Sequence, residues 1–140
     1  MPLLPHKGML AIAAVIDIAL NARGRPVAAK ALANRHRLPP RHLEPVLQAL
    51  VRHGILRGVR GPRGGYELAR EQRRISTVDI LRAAGTVEEP GDMPVTGSAL
   101  LNEVVAPALA QAEQSFAAAL GRISVEDLVR TAEGFRKSAE

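Results

Sequence analysis

The chain has 140 residues, 46% of them hydrophobic, with a formal net charge of +5, no cysteine and three aromatic residues (Tyr66, Phe116 and Phe135). That is enough for one globular domain, or one domain with an appended dimerisation element, whose core is built from Ala, Leu, Val and Ile, as suits packed helices. The absence of cysteine excludes disulfides, thiolate catalysis and cysteine-ligated zinc or iron–sulfur centres. Residues 1–75 carry fourteen Lys/Arg against four Asp/Glu, a net of +10, and residues 76–140 carry five against ten, a net of −5. A basic half that meets a polyanion and an acidic half with another task is one reading, and a generally basic surface is the other.

Gly8–Ile16 is an apolar run behind Lys7 that superficially resembles a short signal peptide. Asp17 interrupts it, and apolar residues at 9, 12, 13, 16, 19 and 20 follow helical spacing, so the pattern predicts a buried helix over Lys7–Ala22. No run approaches the length of a membrane span, and the expected location is cytoplasmic. A short helix follows from about Ala28 to Arg35, with Leu32 and Ala33 inward. His36-Arg-Leu38 makes a turn with Leu38 as a buried plug. A third helix opens at Pro39-Pro40, where proline is tolerated because first-turn amides lack partners, and stops at Gly54.

In that third helix Leu43, Val46, Leu47, Leu50 and Val51 fall on one face. Arg41, Pro45, Gln48 and Arg52 fall on the opposite one. Pro45 removes a ladder hydrogen bond, which predicts a bend or an irregular first turn. Ile55–Arg60 and Tyr66–Ala69 read as strands joined by the turn Gly61–Gly65, a hairpin too short to be stable alone. A fourth helix opens at Ser76 or Thr77 with Asp79 in its first turn, and ends at Gly85. Residues 86–97 read as an acidic loop. A long helix over Ser98–Leu120 carries the stripe Leu101, Val104, Val105, Ala108, Ala112, Phe116, Ala119 and Leu120, with Pro107 as a kink. Ser124 starts a last helix that reaches about Lys137.

This order predicts a mainly α fold with a small β-hairpin wing, a winged helix-turn-helix over residues 1–85, the acidic loop 86–97, and a dimerisation helix with a C-terminal helix over 98–140. The core is expected to be complete by Gly85. The apolar stripe of the long helix can then be buried against its copy in a two-fold dimer and on the first and last helices, and both are expected.

A helix-turn-helix places its second helix in the major groove with its N-terminal residues nearest the bases. Here those are Pro40, Arg41 and His42, then Pro45 and Gln48. Arg41 can donate two hydrogen bonds to guanine, or touch phosphate alone, and Gln48 suits adenine. In the wing, Arg60 and Arg63 suit a narrow minor groove, where negative potential is enhanced; the plain alternative for Arg63 is a solvated loop. His6, His36, His42 and His53 have no Ser, Asp or Cys partners at catalytic spacing, so the chain is not expected to be an enzyme.

Lys7-Gly8, Leu43-Glu44 and above all Val59-Arg-Gly-Pro-Arg-Gly-Gly-Tyr66 resemble the Rrf-two (IscR-like) family of bacterial winged helix-turn-helix transcription regulators. Ile75–Gly85 and Leu120–Leu128 extend the resemblance over nearly the whole chain. It implies a homodimer with crossed long helices. It also implies DNA contacts at Pro40, Arg41, His42 and Pro45 in the third helix and at Arg60, Pro62 and Gly64 in the wing, with Lys7 near the backbone.

Three departures stand out. The family's cluster cysteines in the loop corresponding to 86–97 are absent, so no iron–sulfur cofactor is inherited. Pro45 stands where glutamine is frequent, and Arg63 stands for the first of three wing glycines. Glu88, Glu89, Asp92 and His6 read as solvated side chains before they read as a hard-metal site. The expected partners are double-stranded DNA and a second copy of the chain, with a small-molecule effector or a regulatory protein as routes of control. A repressor is the first functional reading, and a protein-interaction module that has lost DNA binding is the alternative.

Overall fold

The first helix, α1 (His6–Asn21), is apolar almost all round, so periodicity alone does not select its inner face. The structure, a computed structural model, describes residues 6–85 and 97–139. In it Gly8, Ala11, Ala14, Val15, Asp17 and Ile18 are buried. The expected inner face is therefore rotated: Met9 is 50% exposed, and Asp17 lies on the core side at 5% exposure.

Helix α2 (Ala29–His36) buries Leu32 and Ala33. It ends at Arg37, whose φ of 54° is the left-handed conformation common one residue past a helix. The Leu38 amide donates to the Ala33 carbonyl at 2.9 Å and closes the turn through backbone. Leu38 itself is half-buried, not the buried plug the sequence suggests. Helix α3 (Pro40–Arg52) follows with Pro39 before it and Pro40 as its first residue. It runs uninterrupted through Pro45, which cannot donate to the Arg41 carbonyl. Leu43, Val46, Leu47, Ala49 and Leu50 are buried, and Val51 is half-buried.

Strands β1 (Leu56–Val59) and β2 (Gly65–Leu68) pair antiparallel, with Leu56 opposite Leu68 and Val59 opposite Gly65. Helix α4 (Thr77–Ala83) starts with a reciprocal cap: the Asp79 amide donates to Ser76 Oγ at 3.1 Å and the Ser76 amide to Asp79 Oδ2 at 3.2 Å. Past residues 86–96, which lie outside the described residues and hold nearly all of the expected acidic loop, a π-helical turn (Leu101–Val105) leads into α5 (Ala106–Gly121). In that turn the Ala106 amide reaches back to the Leu101 carbonyl, a wider ring than the α-helical one. The wide turn sits immediately before Pro107, where the ladder must lose an amide anyway. Helix α6 (Val125–Ala139) repeats the reciprocal cap with Ser124 and Asp127, at 3.1 and 2.9 Å.

The core is not complete at Gly85. Val125 and Val129 of α6 join the cluster formed by α1, α2, α3, β1 and α4. Residues 75–77 and 123–125 pair back to back: the Thr77 amide donates to the Ile123 carbonyl at 2.9 Å and the Val125 amide to the Ile75 carbonyl at 2.8 Å. The Thr77 hydroxyl donates to the Leu120 carbonyl as well. The last turn of α5 is thereby fixed against α4, while no residue of α5 is buried.

Candidate nucleic-acid interface

The wing depends on glycine at two places. A side chain at Gly65, whose φ is 155°, would collide with the Val27 carbonyl, and one at Gly64 with the Val59 carbonyl. The first close approach is used. Val27 and Tyr66 exchange both backbone hydrogen bonds at 2.8 Å, so the loop before α2 docks on β2 as a single-residue third strand. At the tip the Gly64 amide donates to the Gly61 carbonyl at 2.9 Å. Arg60, Pro62 and Arg63 are exposed there, and Gly64 is half-buried.

On α3, Pro40, Arg41, His42, Pro45, Gln48 and Arg52 are all exposed, with the buried stripe on the opposite side. Lys7 is exposed in the first turn of α1. The arginines divide by partner. Arg57 pairs across the strands with Glu67 at 2.8 Å, Arg73 with Glu71 at 2.7 Å, and Arg35 with Asp17 at 2.7 Å. Arg41, Arg52, Arg60 and Arg63 have no acidic partner among the described residues. Cations left unpaired on the exposed helix face and on the hairpin tip are free to neutralise phosphates.

Two supports for this face carry no motif that sequence reading picks out. Asp17 receives Arg35 Nη2 at 2.7 Å and Nε at 2.9 Å, and His36 Nε2 lies 2.7 Å from its second oxygen. Asn21 Nδ2 donates to the Asp17 carbonyl at 2.9 Å. Burial alone would push the Asp17 carboxyl up, but the Arg35 and His36 hydrogen bonds outweigh it and hold Asp17 below its ordinary value. The network pins the end of α2 to α1 and so sets where α3 begins. The second support is Arg70, just past the wing, which donates to the Gly54 carbonyl at 3.1 Å and the His53 carbonyl at 3.3 Å. A cation there matches the negative end of the α3 dipole, and its other nitrogen lies 3.7 Å from Asp79 of α4.

A separate apolar face runs along α5 and the turn before it. Leu101, Val104, Val105, Ala108, Ala112 and Phe116 are exposed and Leu120 is half-buried. Leu100 and Leu109, at 68% and 58% exposure, extend the face beyond the stripe read from sequence. Within the chain α5 packs on α4, while α6 is the helix that packs on α1. The expected packing of the stripe on the first and last helices is not seen, since its residues stay exposed or, at Leu120, half-buried.

A helix-turn-helix, a hairpin wing docked on it and unpaired arginines on both define a winged helix-turn-helix protein. The family described as "Rrf2: Iron-dependent Transcriptional regulator" matches residues 4–131. The HTH-type transcriptional regulator IscR of Xenorhabdus nematophila is 31% identical over 138 residues, spanning 93% of this chain and 80% of its own. An HTH-type regulator of Haemophilus influenzae is 40% identical over 80 residues, but that match spans only 53% of the relative's length. Among solved structures, T. potens IscR superposes with a TM-score of 0.72 at 30% identity, covering 92% of this chain and 87% of that one. CymR of B. subtilis, at 23% identity and a TM-score of 0.71 over 94% and 98% of the two chains, shares the fold.

The chain belongs to the Rrf2 family of winged helix-turn-helix transcription regulators, a class of DNA-binding proteins and not of enzymes. The iron dependence in the family's description does not fit these residues where a thiolate-held cluster is meant, because this sequence contains no cysteine.

Proposed function

We propose that this chain works as a cytoplasmic homodimer that binds duplex DNA and represses transcription by occupying the site. The α3 face of Arg41, Pro45, Gln48 and Arg52 enters the major groove, with Pro40 and His42 at its leading end. The wing carries Arg60, Pro62, Arg63 and Gly64 to the adjacent minor groove, and Lys7 lies along the backbone. The observation that carries this reading is the division of arginines: Arg57 on the wing stem and Arg35 at the end of α2 are paired with acids, and Arg41 and Arg52 on the α3 face and Arg60 and Arg63 at the wing tip are not, among the described residues. Two such units related by a two-fold axis through the α5 faces would read a palindromic site with half-sites separated by a helical turn or its multiple.

The test is retardation and footprinting of genomic fragments, the protein's own upstream region included, followed by transcription from a bound promoter. The expected result is a symmetric footprint, with transcription falling as protein is added. The double variant Arg60→Ala/Arg63→Ala should weaken binding by tenfold or more. Absence of retardation at low salt would end the DNA reading, and unaltered affinity of the double variant would remove the wing from it.

A further inference from the structure

The wing tip and the loop between α1 and α2 border a single open groove of about 350 Å³, lined by Arg25, Pro26, Ala28, Pro62, Arg63 and Gly64. Backbone holds the two walls together. Val27, between Pro26 and Ala28, is tied to Tyr66 by its two 2.8 Å hydrogen bonds, and the bare Cα of Gly65 lets the strands approach. Arg25 and Arg63 are both exposed, and neither has an acidic partner among the described residues. Arg23, two residues before Arg25, pairs with Glu133 instead. Two unpaired guanidinium groups that line one groove repel each other, and an anion placed between them relieves that repulsion.

We propose that this groove seats one phosphodiester group of the DNA backbone between Arg25 and Arg63. This deepens the DNA-binding reading and rests on it. A phosphodiester offers two non-bridging oxygens that share one negative charge to planar donor forks on either side, the geometry that guanidinium groups match best. Such a contact positions without reading sequence. Arg25 is then a positioning residue: it fixes the depth at which the wing enters its groove, so that Arg60 meets the same base step each time.

The experiment uses the full-length protein and a labelled duplex carrying the footprinted site, titrated across a salt series. Arg25→Ala should bind several-fold more weakly at 0.1 M salt with unaltered base preference. Its plot of log K against log salt should be shallower by up to about 0.9, one phosphate's worth. Arg25→Lys should keep most of the slope. Because both arginines grip one phosphate, Arg25→Ala/Arg63→Ala should lose less than the product of the single losses. A neutral methylphosphonate at one backbone position should weaken the wild-type protein most, Arg25→Ala less, and leave Arg25→Ala/Arg63→Ala unchanged. Arg25 lies exposed in a loop, and thermal melting of Arg25→Ala should match the wild type. An unchanged slope for Arg25→Ala, or losses that multiply with no phosphate position distinguishing the variants, would overturn the phosphate seat while leaving DNA binding intact. Failure of the wild-type protein to bind any duplex would overturn both.

Discussion

At the residue scale, Asp17 and Arg35 show how a buried charge positions a surface that it never touches. Asp17 is 5% exposed, whereas the Arg35 side chain is 40% exposed. The two halves of the pair are therefore not equivalent. Arg35→Met removes the permanent cation from a buried carboxylate, leaving it His36 and Asn21, and should cost about 3 kcal/mol, near the lower end for broken buried pairs. Asp17→Asn leaves the guanidinium in reach of water and should cost about 1 kcal/mol. Urea unfolding checks the order, and equal costs would contradict it. The pH dependence has a definite sign. The folded carboxyl lies below its ordinary value, so its contribution is present above the unfolded value of about 3.9 and is lost as pH falls through the folded one. Asp17→Asn should flatten that acid limb. From the sequence, Asp17 is visible only as an interruption of an apolar run. Its partners lie eighteen and nineteen residues away on another helix, and no local pattern announces them.

At the scale of elements, α5 poses the main question about assembly. Nothing in the helix is buried, and Leu101, Val104 and Phe116 are 40%, 58% and 37% exposed. A face of that size left to water is unusual in a monomer, which supports the two-fold dimer proposed above. Leu101→Glu or Phe116→Glu occurs twice in such an interface, and each apolar side chain is worth about 1.5–3 kcal/mol when buried. Either variant should weaken association about 100-fold or more and shift sedimentation from dimer to monomer. A wild-type monomer, or variants that sediment unchanged, would contradict it. The elements themselves were largely legible, because their signals are local. Pro40 at the start of α3, the Ser76 and Ser124 caps and glycines 54, 64 and 65 act within a few residues of where they stand. Pro107 predicted a kink, and the chain meets it with a π turn. The face of α1 was not legible, since a helix that is apolar almost all round offers little contrast. Nor was the return of α6 to the core, where Val125 and Val129 pack from forty residues beyond α4.

At the scale of the whole molecule, sequence showed where charge accumulates and the structure shows which charges are free. The net of +10 over residues 1–75 includes arginines spent on Asp17, Glu67 and Glu71. Among those without an acidic partner in the described residues, Arg41 and Arg52 lie on the exposed face of α3, Arg60 and Arg63 at the wing tip and Arg25 on the loop beside it. A candidate interface read from sequence alone contained Arg60 and Arg63 but not Arg25, because only the docking of Val27 on Tyr66 brings that loop to the wing. These unpaired cations are proposed to meet DNA phosphates. The most direct measurement is the affinity of the wild-type protein for its footprinted duplex across a salt series. Each phosphate neutralised should steepen the fall of log K by about 0.9 per log unit of salt, so several contacts per protomer predict a loss of orders of magnitude between 50 and 200 mM. A flat response would contradict it.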